Sequence, residues 1–226
     1  METVLIFGSS GALGTAISTE FENMGFNVIR LTSGSEKEGF LSTQNETWTS
    51  TIVATGKISA IVWAQGFNQS DSIDTFSVDS FNQHVQANLT YVLETLNKLL
   101  SSEVFSHEAR LVVLSSIWQD SSRSNKLSYI VTKSALKGLV SSLCLDLGSK
   151  GISINAVLPG VTDTPMTHRN LTESQIAHVV DETPLGRLPI IDEVTKTVTW
   201  LASKNSSGIN GQFITVDNGW TRYRNV

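Results

Sequence analysis

The chain has 226 residues, of which 40% are hydrophobic, and a formal net charge of −5. Enough apolar surface for a folded core excludes disorder as the main state. The acidic balance argues against nucleic-acid binding, which usually needs a basic field. The single cysteine, Cys144, excludes an intramolecular disulfide and a cysteine-rich zinc site. The longest early apolar run, residues 4–7, is too short for a signal peptide or a membrane span, so we expect a cytoplasmic protein without a membrane partner.

Strand-like and helix-like segments alternate along the chain. Apolar, β-rich runs predict strands at residues 3–7, 27–31, 40–41, 58–63, 110–115, 152–158 and 212–216. Apolar residues at helical spacing predict helices at 12–24, 48–55, 78–100, 127–147 and 192–203. Such alternation favours a doubly wound α/β fold of the Rossmann type, with a mostly parallel seven-stranded sheet and helices on both faces. Since no linker interrupts the pattern, we expect residues 1–226 to form one domain.

A glycine-rich turn joins the first strand to the first helix. Gly8, Gly11 and Gly14 are three residues apart, so backbone amides there could approach a phosphate closely. The helix N-terminus that follows adds partial positive charge. The turn therefore predicts a dinucleotide-binding site, although the spacing alone also fits a tight strand-to-helix connection.

The end of the second strand indicates which dinucleotide is bound. NAD sites place a carboxylate there, whereas this chain has Thr32 and Ser33, which could hydrogen-bond a 2′-phosphate. Arg30 or Lys37 could contribute positive charge, unless Arg30 simply faces solvent. We expect NADP(H) rather than NAD(H).

A tyrosine and a lysine share one face of the helix predicted at 127–147. Tyr129 and Lys133 are four residues apart, and a nearby ammonium group favours the phenolate form of a tyrosine. Ser115 and Ser116 end a buried strand, at the edge of the sheet where ligands bind in doubly wound folds. These residues suggest acid–base chemistry beside a nucleotide.

Further segments complete a resemblance to the short-chain dehydrogenase/reductase family over essentially the whole length. They are residues 63–66, 87–90, 114–116, 129–135, 154–166, 184–187 and 211–219. The resemblance implies a catalytic tetrad of Asn88, Ser116, Tyr129 and Lys133. Tyr129 would exchange the proton, Ser116 would polarise the substrate oxygen, and Lys133 would hold the nicotinamide ribose and lower the pKa of Tyr129. Asn88 would interrupt its helix and position a water molecule that relays protons.

The resemblance also implies a set of cofactor-binding residues. They are Gly8, Ser10, Gly11, Leu13, Gly14, Thr32, Ser33, Ala64, Gly66, Tyr129, Lys133, Pro159, Gly160, Val161 and Thr164. Three features depart from the family pattern. Ala12 stands where many members have a glycine, Trp63 and Gln65 replace the common Asn and Ala, and the stretch before residue 58 is short. The short stretch predicts a reduced crossover helix and a shallow adenine pocket.

The implied function is an NADP(H)-dependent oxidoreductase that interconverts a ketone and a secondary alcohol on a small-molecule substrate. A cofactor sensor without turnover, a 3-oxoacyl carrier-protein reductase and a sugar-nucleotide epimerase or dehydratase remain alternatives. The carrier-protein reaction would need a basic entrance, for which Lys150, Arg169 and Arg187 are available. The substrate could equally be a hydroxy ketone, a cyclic alcohol or a sugar derivative, covered by a variable segment at about 165–190.

The sequence also bears on oligomeric state, on metal binding and on two single residues. The resemblance implies a homodimer or homotetramer that uses the helices at 78–100 and 127–147 and the last strand, and the apolar residues of both helices are compatible with it. The four histidines lack metal-ligand spacing, so we expect no metal site. Trp118 could line the substrate pocket or simply pack, and Cys144 is expected to be a small buried hydrophobe.

Overall fold

One parallel sheet organises the molecule, a computed structural model that describes residues 1–34 and 38–222. Within these residues the sheet has seven strands in the order β3-β2-β1-β4-β5-β6-β7, all of them parallel. The strands are β1 (Thr3–Phe7), β2 (Asn27–Thr32), β3 (Leu41–Ser42), β4 (Ile58–Trp63), β5 (Phe105–Leu114), β6 (Ser153–Pro159) and β7 (Phe213–Val216). The predicted doubly wound fold is confirmed.

Helices cover both faces of the sheet. They are α1 (Ala12–Asn23), α2 (Trp48–Ala54), α3 (Val78–Val85), α4 (Tyr91–Ser101), α5 (Leu127–Gly148), α6 (Pro165–Asn170), α7 (Glu173–Asp181) and α8 (Ile191–Leu201). Helices α1 and α8 pack against each other on one face, over a cluster that includes Ile6, Val62 and Val112. The opposite face carries Leu5, Ile61 and Leu111, and α4 and α5 pack there. Burial on both faces explains why these strands are apolar at nearly every position.

The chain reverses its direction of strand addition between β1 and β4. Strands β2 and β3 lie on one side of β1, and β4 to β7 lie on the other. The loops after β1 and β4 therefore diverge at the carboxyl edge of the sheet, and a crevice opens between them. Phe7 at the end of β1 pairs in register with Leu31 of β2 and with Trp63 of β4, so the three strand ends meet at this crevice.

Three predicted segments need correction. The helix predicted at 78–100 is divided by a π-helical turn, Gln86–Thr90. Strand β5 begins at Phe105 rather than residue 110, after a register shift beside β4. The segment at 165–190, to which no element was assigned, contains the short helices α6 and α7. Helix α2 has only seven residues, which agrees with the expected short crossover.

No helix in the described part of the chain combines the length and the apolar character that a membrane span needs.

Candidate active site

A cavity of about 680 Å³ opens at the carboxyl edge of the sheet. The glycine-rich turn, the residues after β2, β4, β5 and β6, and the start of α5 form its walls. The cavity is large enough for a dinucleotide portion together with a small substrate, since ligand pockets commonly measure about 300–1,000 Å³.

The glycine-rich turn has two kinds of glycine. A Cβ on Gly14 would lie 2.3 Å from the carbonyl oxygen of Gly8, and one on Gly8 would lie 2.5 Å from the backbone nitrogen of Gln65. Gly8 also has a φ of +72°, which favours glycine. Gly11, by contrast, lines the cavity, and a Cβ there would lie 3.5 Å from its nearest neighbour. Gly8 and Gly14 therefore allow close contact between backbone segments, whereas Gly11 borders the cavity.

The N-terminus of α1 is open toward this cavity. Its N-cap is Gly11, which offers no side-chain cap, and the first turn contains no acidic residue. Ser10, Ala12 and Leu13 line the cavity beside it. A helix end with uncapped amide groups and a positive dipole is suited to bind phosphate.

The end of β2 contributes hydroxyl groups to the cavity. Thr32 and Ser33 both line it, as expected for the cofactor, and the Thr32 hydroxyl accepts a hydrogen bond from the amide of Gly34. The suggestion that Arg30 adds charge here is wrong, because its guanidinium forms two hydrogen bonds with Glu22, of 2.7 and 2.8 Å. Lys37 lies outside the described residues.

Ser116, Tyr129 and Lys133 come together in the middle of the cavity. The Ser116 side chain lies near enough to the Tyr129 phenol to lower its pKa. The Lys133 ammonium nitrogen lies 5.6 Å from the centroid of the Tyr129 ring. It donates a 2.9 Å hydrogen bond to the carbonyl oxygen of Leu114, the last residue of β5. All three side chains line the cavity, so one ligand could contact each of them.

Burial shifts the titration of both groups away from their ionised forms. It raises the pKa of Tyr129 to about 12, and the nearby Ser116 side chain opposes this only in part. Burial also lowers the pKa of Lys133 to about 8. In the free protein the phenol is therefore a proton donor at neutral pH, and the lowering of the Tyr129 pKa by Lys133 that the resemblance implies is not the dominant effect.

Asn88 lies behind the cavity and does not line it. Its side-chain oxygen accepts a hydrogen bond from the amide of Phe67, at 2.7 Å. Its amide group donates to the carbonyl of Phe67 and to the Thr132 hydroxyl, at 2.9 and 3.0 Å. Asn88 occupies the π-helical turn, so the expected helix irregularity is present. In this structure it ties the loop after β4 to α5, next to Lys133.

Most of the remaining cofactor candidates border the cavity. Ala64 and Gly66 follow β4, Pro159 ends β6, and Gly160, Val161 and Thr164 come after it. The Thr164 hydroxyl also caps α6 by accepting from the amide of Thr167. Gly14 is the exception, because its contact is with the Gly8 carbonyl rather than with the cavity.

The two substitutions after β4 have different consequences. Trp63 points into the apolar core, stacks on Phe7 at 5.6 Å and donates to the Thr95 hydroxyl, so it makes no contact with the cavity. Gln65 lines the cavity, and its buried side-chain oxygen has no hydrogen-bond partner in the described chain. An acceptor without a partner at this position fits a ligand donor, because buried polar atoms are rarely left unpaired.

The sequence analysis missed a group of polar residues at the β5 side of the cavity. Asn68, Asp71, Arg123 and Lys126 line it beside Tyr129. Trp118 lines it too, and it packs edge-on against Trp220 at 5.6 Å. Arg123 and Lys126 lie only a few residues before Tyr129, and that proximity was a usable signal. The contact between this segment and residues 68–71 joins distant parts of the chain, and no local sequence pattern indicated it.

His84, Cys144 and Arg187 lie outside the cavity and have other surroundings. Buried His84 hydrogen-bonds the Ser80 carbonyl and the Gln69 amide through its two ring nitrogens. Across the described ranges, no three His, Cys, Asp or Glu side chains are grouped closely enough to hold a metal ion. Cys144 is partly exposed rather than fully buried. Arg187, one of the three candidate entrance cations, forms an ion pair with Glu193.

The proteins that this sequence matches are named as reductases or oxidoreductases, which agrees with the geometry of the cavity. A family model described as enoyl-(acyl carrier protein) reductase matches residues 42–221. The Bacillus subtilis protein named uncharacterized oxidoreductase YmfI is 28% identical, with 97% of this chain and 98% of that protein covered. A 3-oxoacyl-[acyl-carrier-protein] reductase of Rickettsia bellii is 27% identical over 96% of both chains.

Solved structures resemble this fold closely. The ligand-free aldohexose dehydrogenase of Thermoplasma acidophilum superimposes with a TM-score of 0.87 at 24% identity, covering 100% of this chain and 96% of the other. A gluconate 5-dehydrogenase of Burkholderia cenocepacia, in complex with NADP and tartrate, gives 0.89 at 22% identity, covering 99% and 96%. At these identities the likeness concerns the fold.

Proposed function

The chain belongs to the short-chain dehydrogenase/reductase family of oxidoreductases, and on that premise we propose that it interconverts a ketone and a secondary alcohol with NADP(H), using Tyr129 as the proton donor and acceptor. The observation that carries the proposal is the cluster of Ser116, Tyr129 and Lys133 in one cavity with an open helix N-terminus. We further propose that residues 1–226 act as one cofactor-and-substrate domain, since every described strand belongs to one sheet.

Tyr129 and Ser116 would act on the reacting oxygen. A carbonyl oxygen bound between the two hydroxyls would accept two hydrogen bonds, which become stronger as negative charge develops on that oxygen. Tyr129 would then transfer its proton to the oxygen. When bound, the dihydronicotinamide supplies the hydride, and the protein supplies position and the proton.

Reduction fits the protonation state of the free protein. With a pKa of about 12, Tyr129 holds its proton throughout the physiological range and can donate it. Oxidation of an alcohol would require the phenolate, which the protonated Lys133 stabilises from 5.6 Å above the ring. The pKa of Lys133, about 8, leaves this ammonium group charged at neutral pH.

The residues present fit a dinucleotide. Gly8 and Gly14 allow the backbone turn, Gly11 and the α1 N-terminus would hold the pyrophosphate, and Gln65 offers an unpaired acceptor. Lys133 would donate to the nicotinamide ribose. The hydroxyls of Thr32 and Ser33 at the end of β2 support NADP(H), because a carboxylate at this position would repel the 2′-phosphate.

The test is NADPH oxidation with a panel of ketones and aldehydes, comparing native protein with Tyr129→Phe. Turnover by the native protein, with NADPH binding but no turnover in the variant, would support the proposal. Equal rates in both proteins would reject the role of Tyr129. Tight NADPH binding without turnover on any compound would instead favour a cofactor sensor. An acetoacetyl thioester belongs in the panel, because several relatives are named as reductases of carrier-protein thioesters.

A further inference from the structure

The charges that line the cavity are unevenly distributed. Among the described residues, three cations, Arg123, Lys126 and Lys133, border it, against one carboxylate, Asp71. The chain as a whole has the opposite balance, a net charge of −5. Positive charge is therefore concentrated at the site, and a cleft with this charge attracts anions. The cofactor's phosphates explain part of this pattern, but they are expected at the glycine-rich turn, away from Arg123 and Lys126.

Asp71 is already engaged by the backbone of α5. One carboxylate oxygen accepts a 3.0 Å hydrogen bond from the amide of Ser128, and the other accepts one from the Ser128 hydroxyl. Asp71 is buried and holds the start of α5 in place. It forms no ion pair with Arg123 or Lys126 within 4 Å.

Lys126 is held by neutral groups instead. Its ammonium nitrogen lies 2.7 Å from the Asn68 side-chain oxygen and 3.3 Å from the Ser70 hydroxyl. Partial burial and the nearby positive charge of Arg123 both lower the pKa of Lys126, while Asp71 raises it by less. Two like charges held close together at a cavity wall are less favourable without an anion than with one.

Arg123 has no partner of its own in the described parts of the chain. Its guanidinium takes part in no salt bridge, and none of the hydrogen bonds involves it. Arg30 and Arg187, by contrast, each form a two-bond pair with a glutamate. A guanidinium that faces a cavity with its donors unused is suited to a carboxylate or a phosphate.

Lys126 lies near Tyr129 along the chain and far from the end of β2. It is the residue directly before α5, and Tyr129 follows one turn later. Lys126 contacts the loop after β4, whereas Thr32 ends β2 and Ser33 follows it, two strands away. An anionic group bound here would lie beside the substrate carbonyl rather than on the cofactor.

We propose that the substrate is a small anionic oxo or hydroxy compound, whose carboxylate or phosphate group is bound by Arg123 and Lys126 while its reacting oxygen contacts Ser116 and Tyr129. This inference rests on the proposed function. The side chains of Asn68, Ser70, Asn125, Thr167 and Asn170 also line the cavity, together with the apolar side chains of Trp118, Met166 and Leu171.

The test compares charged substrates with their neutral counterparts. Acetoacetate and its methyl ester, and dihydroxyacetone phosphate and dihydroxyacetone, form matched pairs that separate carboxylate from phosphate. For the preferred anion, Arg123→Gln is expected to raise KM at least tenfold and to change kcat less than threefold. It should leave the neutral compound unaffected, and Arg123→Lys should restore most of the affinity. Lys196→Gln removes an exposed charge on α8, outside the cavity, and serves as the control.

A binding measurement keeps the inference testable if none of these compounds turns over. Succinate and glycerol 3-phosphate are titrated into native and Arg123→Gln protein, with and without NADP⁺, and their uncharged analogues into both. Tighter binding of an anion, weakened at least tenfold by the substitution, supports the proposal. Equal binding of charged and uncharged compounds, or no effect of Arg123→Gln, overturns it. Loss of turnover in Tyr129→Phe would still support the oxidoreductase, so the two proposals fail separately.

Discussion

Lys133 is a cation buried without an anion beside it. Its side chain is 3% exposed, and its hydrogen-bond acceptor is the neutral carbonyl of Leu114. Burial therefore lowers its pKa to about 8, which is a cost to the folded state whenever the group is charged. Stability alone would thus not favour a lysine at this position, and buried groups with perturbed pKa values are candidates for functional roles.

This cost makes stability depend on pH in a defined direction. Between about pH 8 and 10.5 the folded chain releases the Lys133 proton before the unfolded chain does, so the free energy of unfolding rises with pH. Between pH 7 and 9.5 the free energy of unfolding of the native protein should rise by about 2 kcal/mol more than that of Lys133→Met. Urea denaturation at several pH values measures this. Tyr129, with its raised pKa, acts in the opposite direction only above about pH 10.

If the free energy of unfolding changed with pH in the same way in the native protein and in Lys133→Met, this account of Lys133 would be contradicted. The comparison isolates the residue because Lys126, whose pKa is also lowered, is present in both proteins.

A substitution at Ser33 tests whether the protein prefers NADP(H) to NAD(H). A carboxylate introduced by Ser33→Asp would repel a 2′-phosphate and could hydrogen-bond the ribose hydroxyls of NAD. We expect at least a tenfold loss of NADPH affinity and an unchanged or improved affinity for NADH, measured by fluorescence titration. Ser50→Asp adds the same charge on exposed α2, away from the cavity, and should change neither. Equal losses for both cofactors would contradict the NADP(H) assignment.

At the scale of elements, the turn between β1 and α1 depends on close backbone contact. Gly14 is packed against the Gly8 carbonyl, whereas Gly11 borders open cavity. The same G-x-x-G-x-x-G pattern therefore contains one position packed against the backbone and one that borders the cavity. The spacing in the sequence could not distinguish them, because the distinction depends on which atoms lie opposite each glycine.

Two alanine substitutions separate these roles. Gly14→Ala places a methyl group 2.3 Å from the Gly8 carbonyl and should destabilise the protein by about 3 kcal/mol or more. Gly11→Ala meets nothing closer than 3.5 Å and should cost about 1 kcal/mol or less, while weakening NADPH binding. Thermal denaturation and cofactor titration measure the two effects. Equal destabilisation by both variants would show that the turn is not packed as described.

Most elements were predictable because each carries its own local pattern. Buried strands such as β1 are apolar at nearly every position, and α1 ends at Asn23, two residues before Gly25, whose φ is +82°. The π-helical turn around Asn88 was not visible as a break in periodicity, because the apolar positions continue through it. Its cause is tertiary, namely the hydrogen bond that Asn88 accepts from the Phe67 amide and those that it donates to the Phe67 carbonyl and the Thr132 hydroxyl.

The site was predictable to the extent that its residues form a recognised pattern. Ser116, Tyr129 and Lys133 do so, and the structure groups them. The Arg30–Glu22 pair and the cluster of Arg123 and Lys126 against residues 68–71 are contacts between distant segments. Charge alone did not tell whether Arg30 was free or paired, or that Arg123 faces the cavity.

At the scale of the whole molecule, α5 is apolar on more than one side. Leu145 is 79% exposed and Val131 is 45% exposed, although both belong to the helix that packs on the sheet. Leu93 of α4 is exposed as well. Apolar side chains left outside the core of two neighbouring helices favour a contact with a second copy of the chain.

We therefore expect a homo-oligomer that uses α4 and α5. Sedimentation at micromolar concentration should give a mass of at least twice 24.6 kDa. Leu145→Glu should shift it toward the monomer, because the new charge would be buried at the contact. Val53→Glu, on exposed α2, is the matched control and should leave the mass unchanged. A monomeric native protein would contradict this prediction.

The central claim is that the Tyr129 phenol supplies the proton in a reaction that takes hydride from NADPH. The direct measurement is the single-turnover rate of NADPH oxidation at saturating ketone, in native protein and in Tyr129→Phe, with NADPH affinity determined for both. We predict unchanged NADPH affinity and a rate reduced by about 10²-fold to 10⁴-fold in the variant. A rate within a factor of two of the native rate would contradict the claim.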